Sequence, residues 1–142
     1  ACQIIISISI KLHNMRKWLV TAFISGCLFS FSAYGQTKPV ADSVVGTYII
    51  DLRPTPESAP YLKEFKFTRV DGKKFDGEFY GYPFSGGFLN TDWDKVYFAF
   101  TTQDQSGTYY HSGYAEGNKV YGITLNENRG FVLPWRGQKK LN

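Results

Sequence analysis

The sequence predicts an all-β fold, a small antiparallel up-and-down β-barrel of about eight strands, with a β-sandwich as the alternative. Three observations predict it. From Val44 onward, short runs rich in Val, Ile, Tyr, Phe and Thr alternate with clusters of Gly, Pro, Asn and Asp. That region carries no convincing helical periodicity. Aromatic residues make up 18% of the chain, and in a domain this small such rings are the main apolar material for a core.

The elements follow in order. Residues 44–52, VVGTYIIDL, read as the first strand, and 53–60, RPTPESAP, as a loop punctuated by prolines. Residues 61–70 and 74–82 meet across Asp71-Gly72, a dipeptide favoured in tight hairpin turns. PFSGG breaks the run and FLNTDW is a weak, edge-like segment. KVYFAFTT, 95–102, has the clearest strand pattern, and QDQSG turns it into 108–115. Gly117-Asn118 turns that strand into 119–125, and NENRG leads into the last, 131–136. Alternation points Phe65, Phe67, Phe75, Phe79, Val96, Phe98, Phe100, Phe131, Leu133 and Trp135 inward. Lys66, Asp76, Glu78, Thr101 and the rings of Tyr80, Tyr82 and Tyr97 take the other face. Gly77 and Gly81 fall on the Phe75/Phe79 face, where they mark bends or make room for neighbouring rings.

The front of the chain reads differently. From Met15, MRKWLVTAFISGCLFSFSAYGQ has a basic start at Arg16 and Lys17, an apolar stretch from Trp18 to Phe31, and small residues Ala33 and Gly35 before Gln36. Residues 15–35 are therefore expected to be a cleaved signal peptide, with 36–43 a tether and 44–138 the single barrel domain. The apolar run is too short and too diluted by Ser, Thr and Gly for a good membrane span. Ile24-Ser25-Gly26-Cys27 has the look of a lipobox, so the alternative to a periplasmic or secreted protein is a lipoprotein anchored through Cys27. Residues 1–14 are expected to be a non-native upstream extension.

Setting this leader aside alters the chemistry available. Both cysteines, Cys2 and Cys27, belong to it, so the barrel region offers no disulfide, thiol nucleophile or thiolate zinc site. Lys11, Arg16 and Lys17 go too, and the formal charge of +4 falls close to neutral. A nucleic-acid partner is not expected on that balance, although Phe65, Phe67 and Phe75 interleave with Lys66, Arg69, Lys73 and Lys74.

Val45-Gly46-Thr47-Tyr48 at the first strand, FTRVDGKKFDGEF across a glycine-marked hairpin, and YHSGYAEGNKVYGITL together resemble the calycin scheme of lipocalins and avidins. The resemblance covers most of 44–136 and implies a barrel holding a small, often apolar ligand. Tyr48 stands where the scheme has Trp. Ile50 and Phe79 stand where an avidin would place Asn and Tyr against biotin, so biotin is not implied.

Candidate chemistries fail on their spacing. His111 is the one histidine of the barrel region, and adjacent Ser112 points to the opposite sheet face, so the two do not form a nucleophile–base pair. With no second His and no Cys, a zinc site would need carboxylates alone beside it. His111 is expected to be a hydrogen-bonded surface or rim residue among Tyr109, Tyr110 and Tyr114. Asn90, Asp92 and Asp94 match the start of a calcium loop, yet Lys95 and Thr101 occupy the positions that require Gly and Glu. Asp76 and Glu78 share a face, as glycosidase carboxylates would, but beside Lys73 and Lys74 they read as solvated charges. Arg129 and Trp135 are expected to close one mouth of the barrel, the Arg stacked on an aromatic ring or meeting an acidic ligand group.

The expectation is therefore an exported non-enzymatic barrel with no cofactor, no metal and no catalytic residues. It binds a small apolar or amphipathic ligand through Phe65, Phe79, Phe98, Phe100, Arg129 and Trp135. The alternative is a structural or interaction module of a bacterial envelope with a fully packed core. An eight-stranded bore accommodates either.

Overall fold

A computed structural model of the protein describes residues 39–141. The expectations for the upstream extension, the signal peptide and Cys27 lie outside the described residues. Eight strands follow one another: β1 (Gly46–Asp51), β2 (Leu62–Asp71), β3 (Lys74–Phe79), β4 (Tyr82–Asn90), β5 (Val96–Asp104), β6 (Gly107–Glu116), β7 (Lys119–Asn126) and β8 (Phe131–Lys139). Each pairs antiparallel with its neighbours in sequence, and β1 also pairs with β8, Tyr48 facing Lys139 and Asp51 facing Arg136. The sheet thus closes on itself, giving an up-and-down barrel rather than a sandwich, and closure leaves no unpaired edge. Ahead of β1, a 3-10 turn at Ala41–Val44 buries Val44 against the barrel.

The alternation in the strands fills the bore with rings. Phe65, Phe67, Phe75, Phe79, Phe98, Phe100 and Trp135 are all buried. Phe65 lies 5.2 Å from Phe100 with rings near parallel, and 5.8 Å from Trp135 edge-on. Such offset and edge-on pairs suit the ring quadrupole. Room for the largest of them comes from glycines. Gly113 of β6 faces Phe98 of β5 on one side and Gly122 of β7 on the other, and Gly122 faces Trp135 of β8. Phe98 and Trp135 close over this glycine pair, their centroids 6.2 Å apart. A Cβ on Gly122 would stand 2.2 Å from Trp135 Cζ2, so no side chain fits there.

The expected strand over 74–82 is corrected. β3 ends at Phe79, and Tyr80-Gly81 form a two-residue turn with φ of 57° and 83°. Positive φ at both positions is what a tight hairpin with the natural strand twist requires. Tyr has strong β propensity, and in a pattern reading it carried the strand through the turn. β4 likewise runs through PFSGG, where a break was expected. Its Ser85-Gly86 pair forms a bulge opposite Asp76, whose Oδ1 accepts from Gly86 N–H at 3.0 Å. Gly81 is accordingly a turn residue, not part of the Phe75/Phe79 face, whereas Gly77 does make room for the Phe84 ring.

Candidate functional site

In an up-and-down barrel alternate connections share an end. The β1–β2 loop, the β3–β4 turn, the β5–β6 turn and the β7–β8 turn therefore cluster, and a half-open cavity of about 570 Å³ lies among them. Its most buried walls are Phe79, His111 and Thr124, joined by Thr102 and Leu133. Leu52, Pro54 and Tyr61 of the long β1–β2 loop cover one side. That loop is tied down locally: Leu52 N–H donates to Tyr61 O at 2.9 Å, and Arg53 Nε to Asp51 Oδ2 at 2.7 Å.

The rim is aromatic. Tyr61, Tyr80 and Tyr82 are 42%, 39% and 49% exposed, and the Tyr80 and Tyr82 rings stack at 4°. The Tyr61 and Tyr80 hydroxyls are hydrogen-bonded to each other. That bond holds the Tyr61 phenol below its ordinary pKa and pushes Tyr80 above it. Across the mouth, Arg129 of the β7–β8 turn lies 5.2 Å from the centre of the Phe131 ring and donates to Tyr109 Oη at 3.3 Å. It makes no ion pair among the described residues, although Asp104 also lines the cavity. Bonding to Tyr109 raises the guanidinium pKa further.

At the cavity floor sits His111, and here the expectation of a surface or rim histidine is corrected: it is 3% exposed. Its ring stacks on Phe100 at 4.5 Å and lies 4.3 Å from Phe79. Nδ1 pairs with Thr124 Oγ1 and Nε2 with Thr102 Oγ1, both at 2.9 Å. Burial pulls the imidazole from 6.5 down to about 4, so it is neutral at physiological pH. The inward residues of β6 are Tyr109, His111, Gly113 and Ala115, a set without a bulky aliphatic residue. Apolar alternation therefore gave no sign of which face was inside.

Of the sequence-predicted ligand residues, Phe79 and Arg129 line the cavity. Phe65, Phe98, Phe100 and Trp135 lie in the ring cluster instead of the cavity wall. Trp135 reaches the floor indirectly, donating from Nε1 to Thr124 Oγ1 at 2.9 Å. Tyr61, Tyr80, Tyr82, Thr102, Tyr109 and Thr124 belong to the site and were not singled out for it from sequence. Their common signal is position: each lies at or near the strand ends that meet at this mouth. Placing them needs the β3–β4 turn at its true position.

Other candidates are spread over the surface. Asp76 pairs with Arg69 and Glu78 with Lys66 on the outer face. Asn90 Oδ1 accepts from Asp92 N–H at 2.9 Å, and Asp92 pairs with Lys73. Among the described residues, no three His, Cys, Asp or Glu are grouped to hold a metal ion. Comparison of the chain with protein-family models, curated proteins and solved structures found no match.

Proposed function

We propose that this protein is an exported binding protein that takes a small amphipathic ligand into the open end of its barrel, as the resemblance to the calycin scheme implies. The observation that carries this is the 570 Å³ cavity between a buried floor and an aromatic rim. Its size falls within the range of small-molecule sites, and its lining is mostly apolar with a few convergent polar groups. The apolar part of a ligand would lie against Phe79, Phe131 and Leu133, with its polar part at Arg129 and Gln103. The test is a titration with the neutral fluorophore N-phenyl-1-naphthylamine. Saturable enhancement at one site is expected, and Leu133→Trp, which fills the cavity, is expected to abolish it without loss of β circular dichroism. Emission that stays at its buffer value with the wild-type protein overturns the proposal.

A second reading, an interaction module, is favoured by a different observation. The outward positions Tyr97, Tyr110, Tyr114, Ile123, Leu125 and Val132 on β5–β8 carry no charge and several are well exposed. Exposed apolar patches of this kind mark contact surfaces. This reading expects concentration-dependent sedimentation that Ile123→Lys disperses. A protein monomeric at all concentrations counts against self-association through this face.

A further inference from the structure

Three hydrogen bonds run in series from the ring cluster to the cavity: Trp135 Nε1 to Thr124 Oγ1, Thr124 Oγ1 to His111 Nδ1, and His111 Nε2 to Thr102 Oγ1, each 2.9 Å. Their direction follows from which atoms have a proton to give. An indole N–H only donates, so Thr124 Oγ1 accepts from Trp135. Thr124 is 4% exposed, and its hydroxyl proton has one acceptor among the described residues, His111 Nδ1. Were Nδ1 to carry the proton, the Thr124 hydroxyl hydrogen would lose its one protein acceptor among the described residues, a costly change in so buried a residue. The neutral imidazole therefore has its proton on Nε2 and donates it to Thr102 Oγ1. Thr102 lines the cavity, and its side chain makes no other hydrogen bond among the described residues. Its hydroxyl proton is left to point into the cavity.

We propose that the buried end of the ligand is a hydrogen-bond acceptor, a carbonyl, carboxylate or ether oxygen, received by the Thr102 hydroxyl. Trp135, Thr124 and His111 act as positioning residues that fix the donor's direction. A ligand presenting only a donor at that end would use the remaining lone pair of Thr102 Oγ1 and leave the Thr102 proton without an acceptor. This inference rests on the cavity-binding proposal and adds the chemistry of the group that reaches the floor.

Two measurements test it. The first is the imidazole tautomer, read from nitrogen-15 shifts in a His13→Gln background that leaves a single histidine. Protonation on Nε2 is expected, and protonation on Nδ1 overturns the proposal. The second compares 2-acetylnaphthalene with 2-isopropenylnaphthalene, a ketone and a hydrocarbon of the same shape. Thr102→Val is expected to weaken the ketone about fivefold, the worth of one hydrogen bond, while leaving the hydrocarbon within about twofold. Thr102→Ser, which keeps the hydroxyl, is expected to retain the ketone. Hydrocarbon binding with a ketone affinity indifferent to Thr102→Val overturns the acceptor assignment and leaves the cavity proposal standing. Failure of both naphthalenes to bind overturns the cavity proposal, and this inference with it.

Discussion

His111 couples the site to stability through its proton. In the folded protein burial holds its pKa near 4, while in the unfolded chain it returns to 6.5. Between those values the unfolded chain binds a proton that the folded one excludes, so stability falls as pH drops from about 6.5 to about 4. The loss amounts to roughly 3 kcal/mol at about 1.4 kcal/mol per pH unit. Urea titrations at pH 7.5 and 4.5 are expected to show it, and His111→Gln to flatten it. Asp51 acts in a lower window. Its bond to Arg53 lowers the carboxyl from 3.8 to about 2, so its contribution is present above 3.8 and lost on further acidification. Tyr48 is the opposite case, a cost already present. Its ring is fully buried, its hydroxyl has no partner among the described residues, and burial raises its pKa to about 12. Removing an unsatisfied buried hydroxyl without changing ring shape stabilises by about 1 kcal/mol. Tyr48→Phe is therefore expected to raise Tm by several degrees in calorimetry.

At the scale of the element, the hairpins work by making space. β6 and β7 look weak in side-chain bulk where Gly113 faces Gly122, yet that gap admits Phe98 and Trp135. Gly122→Ala places a methyl inside the Trp135 ring and is expected to cost about 3 kcal/mol, at the upper end for overpacking, with altered Trp135 near-ultraviolet dichroism. The strand sequence was readable because inward Phe and Trp alternate with polar residues over most of the barrel. It failed at Tyr80-Gly81, where both backbone φ angles are positive and Tyr80 holds a conformation its own propensity opposes. That residue stands on the rim of the cavity, bonded to Tyr61. The single misplaced turn therefore hid part of the site: with 74–82 read as one strand, Tyr80 fell within the strand and not at the turn that forms a mouth.

For the whole molecule, the outer surface divides by chemistry. β1–β3 carry the paired charges Lys66–Glu78 and Arg69–Asp76, while two outward rows across β5–β8, Thr101–Tyr110–Leu125–Val132 and Ala99–Ser112–Ile123–Pro134, are uncharged, and Arg136 ends the next. Export remains a proposal drawn from the leader. Mass spectrometry of the protein recovered from its producing cell is expected to find an N-terminus at Gln36, and a diacylated Cys27 would replace soluble export with anchoring. The sequence by itself determined an antiparallel all-β domain of eight strands, because inside–outside alternation and turn residues are local properties of the chain. Only the tertiary structure decided that β1 meets β8 and that the rings fill the bore yet leave one mouth hollow. It also placed His111 on the floor of that hollow. Those outcomes depend on which rings pass over which glycines from strands far apart in sequence, and no local pattern records that.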